Sequence, residues 1–286
     1  MRRISAKRIT QEVRRLVIEA SHFLPEDVRK RLEDMRNQED WELARSTLDQ
    51  IIENAEIAKV KEIPMCQDTG MVVAFVDIGQ EVQIVDGDIS SAINEGIRQG
   101  YTDGLLRKSV VRDPLFDRVN TKDNTPAVIH YDIVPGDKLK IMVAAKGFGS
   151  ENMSRLKMLK PSDGVQGVKE FVLETVELAG PNPCPPIVVG VGVGGTMDKV
   201  TILAKKALMR DMDSVNSNPE YRKLEEELLE MINNTGIGPQ GYGGRSTALK
   251  VMVEPYPTHI AGLPVAVNIN CHATRHKEVE IGGEDD

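Results

Sequence analysis

The sequence predicts a mixed α/β fold, with an N-terminal helical region packed on a core in which strands and helices interleave. Two observations carry this. Apolar residues recur at steps of three and four through residues 5–55, the spacing of amphipathic helices. From Met71 onward, short β-branched runs alternate with helix-like stretches, the order expected of a mixed fold. A chain of 286 residues is long enough to bury such a core, and no internal repeat or long linker is visible. The expected layout is a single domain, with a helical region at 1–60, an α/β core at 61–276 and a tail at 277–286.

In order along the chain, Ile9, Val13, Leu16, Val17, Ala20 and Phe23 mark one face of a helix over 5–24. Pro25 interrupts it, and Val28, Leu32 and Met35 continue the pattern in a second helix. Asp40 can cap a third, whose face is Ala44, Leu48, Ile51, Ile52 and Ala55. Pro64 ahead and Gly70 behind keep residues 64–70 out of a helix, so they form a loop. Residues 71–78 are apolar and β-branched, a buried strand. Asp88 opens a helix that ends near Gly100, and the polar, turn-rich residues 112–126 form a surface loop. Two strands, 127–134 and 138–145, are joined by Pro135-Gly136-Asp137, a strong turn signal. A glycine-rich loop at 146–152 and a helix at 162–179 follow. Proline fixes φ and removes donors, so residues 181–186 form neither helix nor central strand. Strand 187–193, helices 196–209 and 219–232, a glycine-rich segment at 236–244 and strands 248–254 and 264–269 complete the core. The end of the tail, residues 282–286, is expected to be disordered.

Composition excludes several classes. The net charge of −8 argues against a nucleic-acid surface. No apolar run reaches the roughly 20 residues of a membrane span, and the N-terminus has no secretory apolar region, so a cytoplasmic protein is expected. Three cysteines, an odd number, do not suggest a disulfide framework.

The chemistry concentrates on those cysteines. Cys66 begins the run Cys66-Gln67-Asp68-Thr69, which sets a thiol, an amide, a carboxylate and a hydroxyl on consecutive residues. Cys184 is enclosed by prolines, and Cys271 follows a strand. The separations of 118 and 87 residues are too long for a zinc ribbon or finger. They also differ from the four clustered cysteines of a ferredoxin. Two readings stay open on spacing alone: three unrelated buried thiols, or three ligands of a [4Fe–4S] cluster whose fourth iron has an open position. Gly190-Val191-Gly192-Val193-Gly194-Gly195 fits a dinucleotide fingerprint, with Asp211 downstream. No second strand carries that acid, so the glycines read as sites of close backbone approach. Arg107 is either half of a solvated pair with Lys108 or an inward carboxylate clamp. His259, His272 and His276 flank the third cysteine.

Eight motifs together carry a resemblance: Cys66-Gln-Asp-Thr-Gly70, Leu106-Arg-Lys-Ser109, Lys146-Gly-Phe-Gly-Ser-Glu-Asn152, Asn182-Pro-Cys-Pro-Pro186, Gly194-Gly-Thr-Met-Asp-Lys199, Gly238-Pro-Gln-Gly241, Pro257-Thr-His-Ile-Ala-Gly-Leu-Pro264 and Cys271-His-Ala-Thr-Arg-His276. In this order they resemble class I, iron–sulfur-dependent fumarate hydratases and L-tartrate dehydratases. The resemblance implies a fold like the N-terminal domain of those enzymes. It implies that Cys66, Cys184 and Cys271 hold a [4Fe–4S] cluster with one open iron. It further implies that Gln67, Asp68, Arg107, the Gly149 backbone and His259 contact substrate, with Asp68 handling the proton. A separate β subunit, in an α2β2 heterotetramer, would supply the remaining basic side chains and a threonine. The implied reaction is reversible dehydration of (S)-malate to fumarate. Dehydration of L(+)-tartrate to oxaloacetate is the alternative within the class. Outside it stand an iron–sulfur electron-transfer or sensing protein and a structural zinc protein.

Overall fold

A short strand opens the chain. In the computed structural model, which describes residues 1–282, β1 (Arg2–Ser5) leads into α1 (Ala6–His22), capped by Ser5 Oγ accepting from Arg8 N at 3.2 Å. α2 (Glu26–Gln38) starts after Pro25 and buries Val28, Leu32 and Met35, the face read from the sequence. α3 (Glu42–Lys61) starts two residues beyond Asp40. Asp40 pairs instead with Arg245 at 3.1 Å, and the neighbouring Glu39 carboxylate accepts from Trp41 N at 3.2 Å. β2 (Met71–Gly79) and β3 (Val82–Val85) follow. α4 (Ile89–Asp103) is capped as expected, with Asp88 Oδ1 accepting from Ser91 N at 2.7 Å; this bond lowers the carboxyl pKa.

β4 (Val128–Val134) and β5 (Leu139–Lys146) flank the expected turn, then one helical turn, α5 (Phe148–Glu151), lies within the glycine-rich loop. β6 (Arg155–Leu159), too charged to read as a strand, precedes α6 (Gly164–Ala179). β7 (Ile187–Gly194), α7 (Met197–Ala207), α8 (Pro219–Asn233), β8 (Ala248–Tyr256) and β9 (Leu263–Asn270) fall within a few residues of their expected positions. β10 (His276–Ile281) replaces most of the expected tail. Gly282 is buried against Arg2, where a Cβ would lie 2.8 Å from the arginine Cδ. Residues 283–286, the rest of the tail, lie outside the described residues.

These elements form two compact units. The first comprises Met1–Leu24, Ala55–Gly147 and the described residues from Arg275 onward; the second comprises Pro25–Asn54 and Phe148–Thr274. The helical region read as one layer over 1–60 is therefore shared, with α1 in the first unit and α2 in the second. In the first unit a four-stranded sheet runs β10-β5-β2-β4. Val72, Ala74, Val76, Ile141 and Val143 pack there with α1 and α4 residues such as Ile9, Val13, Ile93 and Ile97. β4 and β5 do not pair with each other, because β2 lies between them. The turn that joins them spans the end of β2 instead, where Gly79 N donates to Lys138 O at 2.9 Å.

In the second unit the sheet runs β6-β9-β7-β8. Val189, Val191 and Val193 of β7 pack with α6 and α8. The alternate residues Gly190 and Gly192 face α7, where a Cβ would sit 2.1 Å from Ala204 O and from Val200 O respectively. The Val-Gly alternation is thus a period-two strand whose glycine face lets a helix backbone approach closely. No strand carries Asp211.

The two sheets share one plan. Each central strand, β2 or β7, has a parallel neighbour on one side and an antiparallel neighbour on the other, with a further antiparallel strand beyond. The order of these strands also matches: central strand, parallel neighbour, antiparallel neighbour, with α4 between the first two in one unit and α7 and α8 in the other. The fourth strands are exchanged. The chain leaving β5 supplies β6 to the second sheet, and the chain leaving β9 supplies β10 to the first. The sequence shows no repeat, but the topology does.

Candidate active site

Within each unit, most motif residues gather where the central strand begins and its antiparallel neighbour ends. In the first unit, Met71 of β2 pairs with Lys146 of β5. The Cys66–Gly70 loop therefore meets Gly147 at one sheet end. Buried polar groups fix that loop. The Tyr101 hydroxyl, fully buried, donates to Thr69 O at 2.6 Å and lies 3.1 Å from Gly70 O. Burial pushes the phenol pKa well up, which keeps it a donor. Asn124 Nδ2 donates to Gly70 O at 3.2 Å while its Oδ1 accepts from Ser109 N at 2.7 Å. Thr69 Oγ1 donates to Arg107 O at 2.8 Å, which ties the Arg107 backbone to the same loop. Asp68 turns back so that its Oδ1 accepts from Gly70 N at 3.0 Å. Gly70 has φ +73°, and a Cβ there would lie 2.7 Å from the Lys146 carbonyl carbon, so only glycine closes the turn this tightly. Cys66 and Asp68 are half-buried, and Gln67 and Arg107 are exposed.

In the second unit, Val188 of β7 pairs with Asn270 of β9, so the Cys184 loop meets the residues leaving β9, Cys271 and His272. His272 N donates to Cys184 O at 3.3 Å. The imidazole Nδ1 lies 3.0 Å from the same oxygen and 3.2 Å from Gln240 Nε2. Gln240 in turn donates through N and Nε2 to Pro185 O, at 2.8 and 2.9 Å. Three motifs, at residues 182–186, 238–241 and 271–276, are thus one hydrogen-bonded cluster. Cys184 is exposed with φ +56°, a left-handed conformation that costs a non-glycine residue roughly 1–2 kcal/mol. Such outliers collect at functional sites. Gly149 is exposed, and a Cβ on it would stand 3.6 Å from Asn182 O, which places it by the Cys184 loop. His259 lies elsewhere. Its turn joins β8 to β9 and is tied to the far end of β7 through Thr258 Oγ1 and Gly195 O, 2.9 Å apart. The length of β7 separates it from Cys184, roughly 25 Å at the rise of a strand.

The structure thus brings Gln67, Asp68 and Arg107 together with Cys66 in the first unit. It brings Gly149 together with Cys184 and Cys271 in the second. None of the three cysteines forms a disulfide. Among the described residues no three His, Cys, Asp or Glu side chains are set as a metal site. The donors nevertheless suit iron: thiols on loops at strand ends that form no disulfide, with Cys184 exposed and Cys66 and Cys271 half-buried. Sequence reading missed Tyr101 and Asn124. Asn124 fell in a segment read as a surface loop, yet it is fully buried. Its only sequence signal is a place two residues before a proline.

Motif loops at the ends of paired strands, rich in thiol, carboxylate and guanidinium groups, define an α/β chain with an enzyme's site. Comparison with known proteins places it. The family model for fumarate hydratase (Fumerase) matches residues 10–280. A Methanocaldococcus jannaschii protein named "Putative L(+)-tartrate dehydratase subunit alpha" is 44% identical over 272 residues, covering 94% of this chain and 95% of that one. The L(+)-tartrate dehydratase subunit alpha of Escherichia coli strain K12 is 32% identical over 275 residues, covering 95% and 90%. The chain belongs to the fumarate hydratase (Fumerase) family of hydro-lyases. Among the described residues no helix is long and apolar enough to cross a membrane.

Proposed function

We propose that this chain is the α subunit of an iron–sulfur hydro-lyase that removes water from a four-carbon hydroxy-dicarboxylate, with L(+)-tartrate as substrate. What supports the reading most is the family match over nearly the whole chain, together with a cysteine outside any disulfide in the loop before each central strand and a third just beyond β9. Cys66, Cys184 and Cys271 are the residues that would hold a [4Fe–4S] cluster. When bound, the cluster supplies a Lewis acid for the leaving hydroxyl. Arg107, exposed beside the Cys66 loop, grips one substrate carboxylate and orients the acid. Asp68, held by Gly70 N, takes the proton from the carbon next to the other carboxylate. Gln67 and the Gly149 backbone offer further polar contacts. The β subunit, in an α2β2 assembly, completes the site. His259, at the other end of β7 from Cys184, stays a candidate contact only.

(S)-Malate, placed first by the sequence, is the second reading. The family's name favours it, while the names of the relatives favour tartrate. Co-expression with the β chain without oxygen, followed by iron and sulfide analysis and assays on both acids, tests the proposal. Iron and sulfide with faster turnover of tartrate is the expected result. Cluster-bearing protein that turns over neither acid overturns it and favours an electron-transfer or sensing role. Zinc without sulfide overturns it in favour of a structural site.

A further inference from the structure

The first unit contains a buried cation that the mechanism above does not use. Arg275 is 3% exposed, and its Nε and Nη1 are buried without a hydrogen-bond partner among the described residues. A buried charge is costly unless it is paired, so a guanidinium at this depth calls for an anion. Its backbone is fixed one residue ahead of β10, where Arg275 O accepts from Ala145 N at 3.1 Å. Its side chain reaches the motif loop. Nη2 lies 3.5 Å, and Asp68 Oδ2 3.1 Å, from the point a Cβ on Gly147 would occupy. Gly147 is the first residue beyond β5, the place Cys271 takes beyond β9. The second unit puts a thiol at this position. The first puts no side chain there, and so leaves the guanidinium and the carboxylate facing a common space.

Asp68 Oδ1 accepts from Gly70 N, and the buried Nε and Nη1 of Arg275 are left without a hydrogen-bond partner among the described residues. We propose that Arg275 is a substrate-binding residue, its guanidinium taking one carboxylate of a four-carbon dicarboxylate beside Asp68. A dicarboxylate presents two anionic ends. The first unit offers two guanidiniums beside the Cys66 loop, the exposed Arg107 and the buried Arg275. The planar fork of arginine matches a carboxylate with two parallel hydrogen bonds, which lysine cannot reproduce. This assignment rests on the hydro-lyase reading above.

The test uses the α chain with its β partner, as wild type, Arg275→Gln and Arg275→Lys. KM and kcat are measured with tartrate and malate, and thermal unfolding with and without succinate, a dicarboxylate that has no hydroxyl to lose. The expected Arg275→Gln enzyme has a KM raised about tenfold or more with a smaller change in kcat, and has lost the succinate-induced rise in melting temperature. Without ligand it melts no lower than wild type, because an unpaired buried charge has been removed. Arg275→Lys recovers part of the KM. The proposal is overturned if wild type shows no succinate shift, or if Arg275→Gln keeps both KM and that shift. It is equally overturned if the variant simply melts lower with KM unchanged, the mark of a structural arginine. If wild type turns over neither acid yet is stabilised by succinate through Arg275, the hydro-lyase reading fails and the anion site stands.

Discussion

The two units build the same sheet and use it differently. In the first, the face of β2 that meets α1 and α4 carries Val72, Ala74 and Val76. In the second, the face of β7 that meets α7 carries Gly190 and Gly192, and the helix backbone comes down onto the strand. The loops at the strand starts differ in the same sense. The Cys66 loop is held from behind by the buried donors Tyr101 and Asn124. The Cys184 loop is held by its own rigid prolines and by neighbouring loops through His272 and Gln240. One strand pattern therefore supports two ways of fixing a thiol: anchoring into a side-chain core, or bracing between loops over a closely packed helix. The first unit keeps a carboxylate and two guanidiniums near its thiol, and the second keeps a second thiol. On the proposed function, substrate recognition and metal ligation would thus be weighted to different copies of one topology.

The largest expected effect tests whether the two thiol sites are equal partners. Cys66→Ser, from the first unit, and Cys184→Ser, from the second, should each remove iron from the anaerobic enzyme. Each should lower kcat roughly a thousandfold, corresponding to the loss of several kcal/mol of Lewis-acid stabilisation. Full iron content in either variant would break the equivalence and leave that cysteine a packing residue. Next comes the contrast in helix approach. Gly192→Ala forces a methyl against Val200 O, a backbone atom with no rotamer to escape through, and should cost about 3 kcal/mol in denaturant unfolding. Ala74→Gly, on the matching face of β2, should cost only about 1 kcal/mol. Similar values for the two would mean that the closeness of α7 does not matter to stability.

These contrasts also show what the sequence could and could not disclose. The Val-Gly alternation of 189–194 gave the tight strand–helix contact, because a period of two and the missing Cβ are properties of the residues themselves. Asp88, Pro25 and the apolar faces of the first two helices were legible for the same reason. β6 and β10 were not. Both are charged edge strands, and what makes them strands is a backbone partner over a hundred residues away, Val267 for Arg155 and Ala144 for His276. The repeated topology was hidden because equal register does not require equal side chains. At the site, the thiols and Asp68 stood out as rare groups beside turn residues. Tyr101, Asn124 and Arg275 did not, since their roles come from burial and not from type.

Smaller effects sharpen the difference in how each loop is held. Tyr101→Phe removes a buried donor and leaves Thr69 O unsatisfied, which should cost about 1–3 kcal/mol. It should loosen the Cys66 loop, seen as faster amide exchange at residues 66–70. His272→Ala, acting on the Cys184 loop, should cost less, about 1 kcal/mol, because Gln240 still engages Pro185 O. Equal losses would argue that both loops are anchored in the same way.

The smallest effect is the one whose sign separates the loops. Cys184 sits at φ +56°, a conformation glycine adopts without penalty, whereas Cys66 is not among the residues of positive φ. In the metal-free chain, Cys184→Gly relieves a left-handed strain of roughly 1–2 kcal/mol and adds unfolded-state entropy that takes back part of it. The net expectation is a gain of about 0.5 kcal/mol. Cys66→Gly has no such strain to relieve, so only the entropy remains, and it should lose about 0.5–1 kcal/mol. Thermal unfolding of the two variants beside the wild-type chain reads the signs directly. A loss in both would show that the Cys184 loop is no more strained than the Cys66 loop. Opposite signs would mean that the second unit holds its cysteine in a posture that folding alone does not favour, the mark of a residue placed for a ligand.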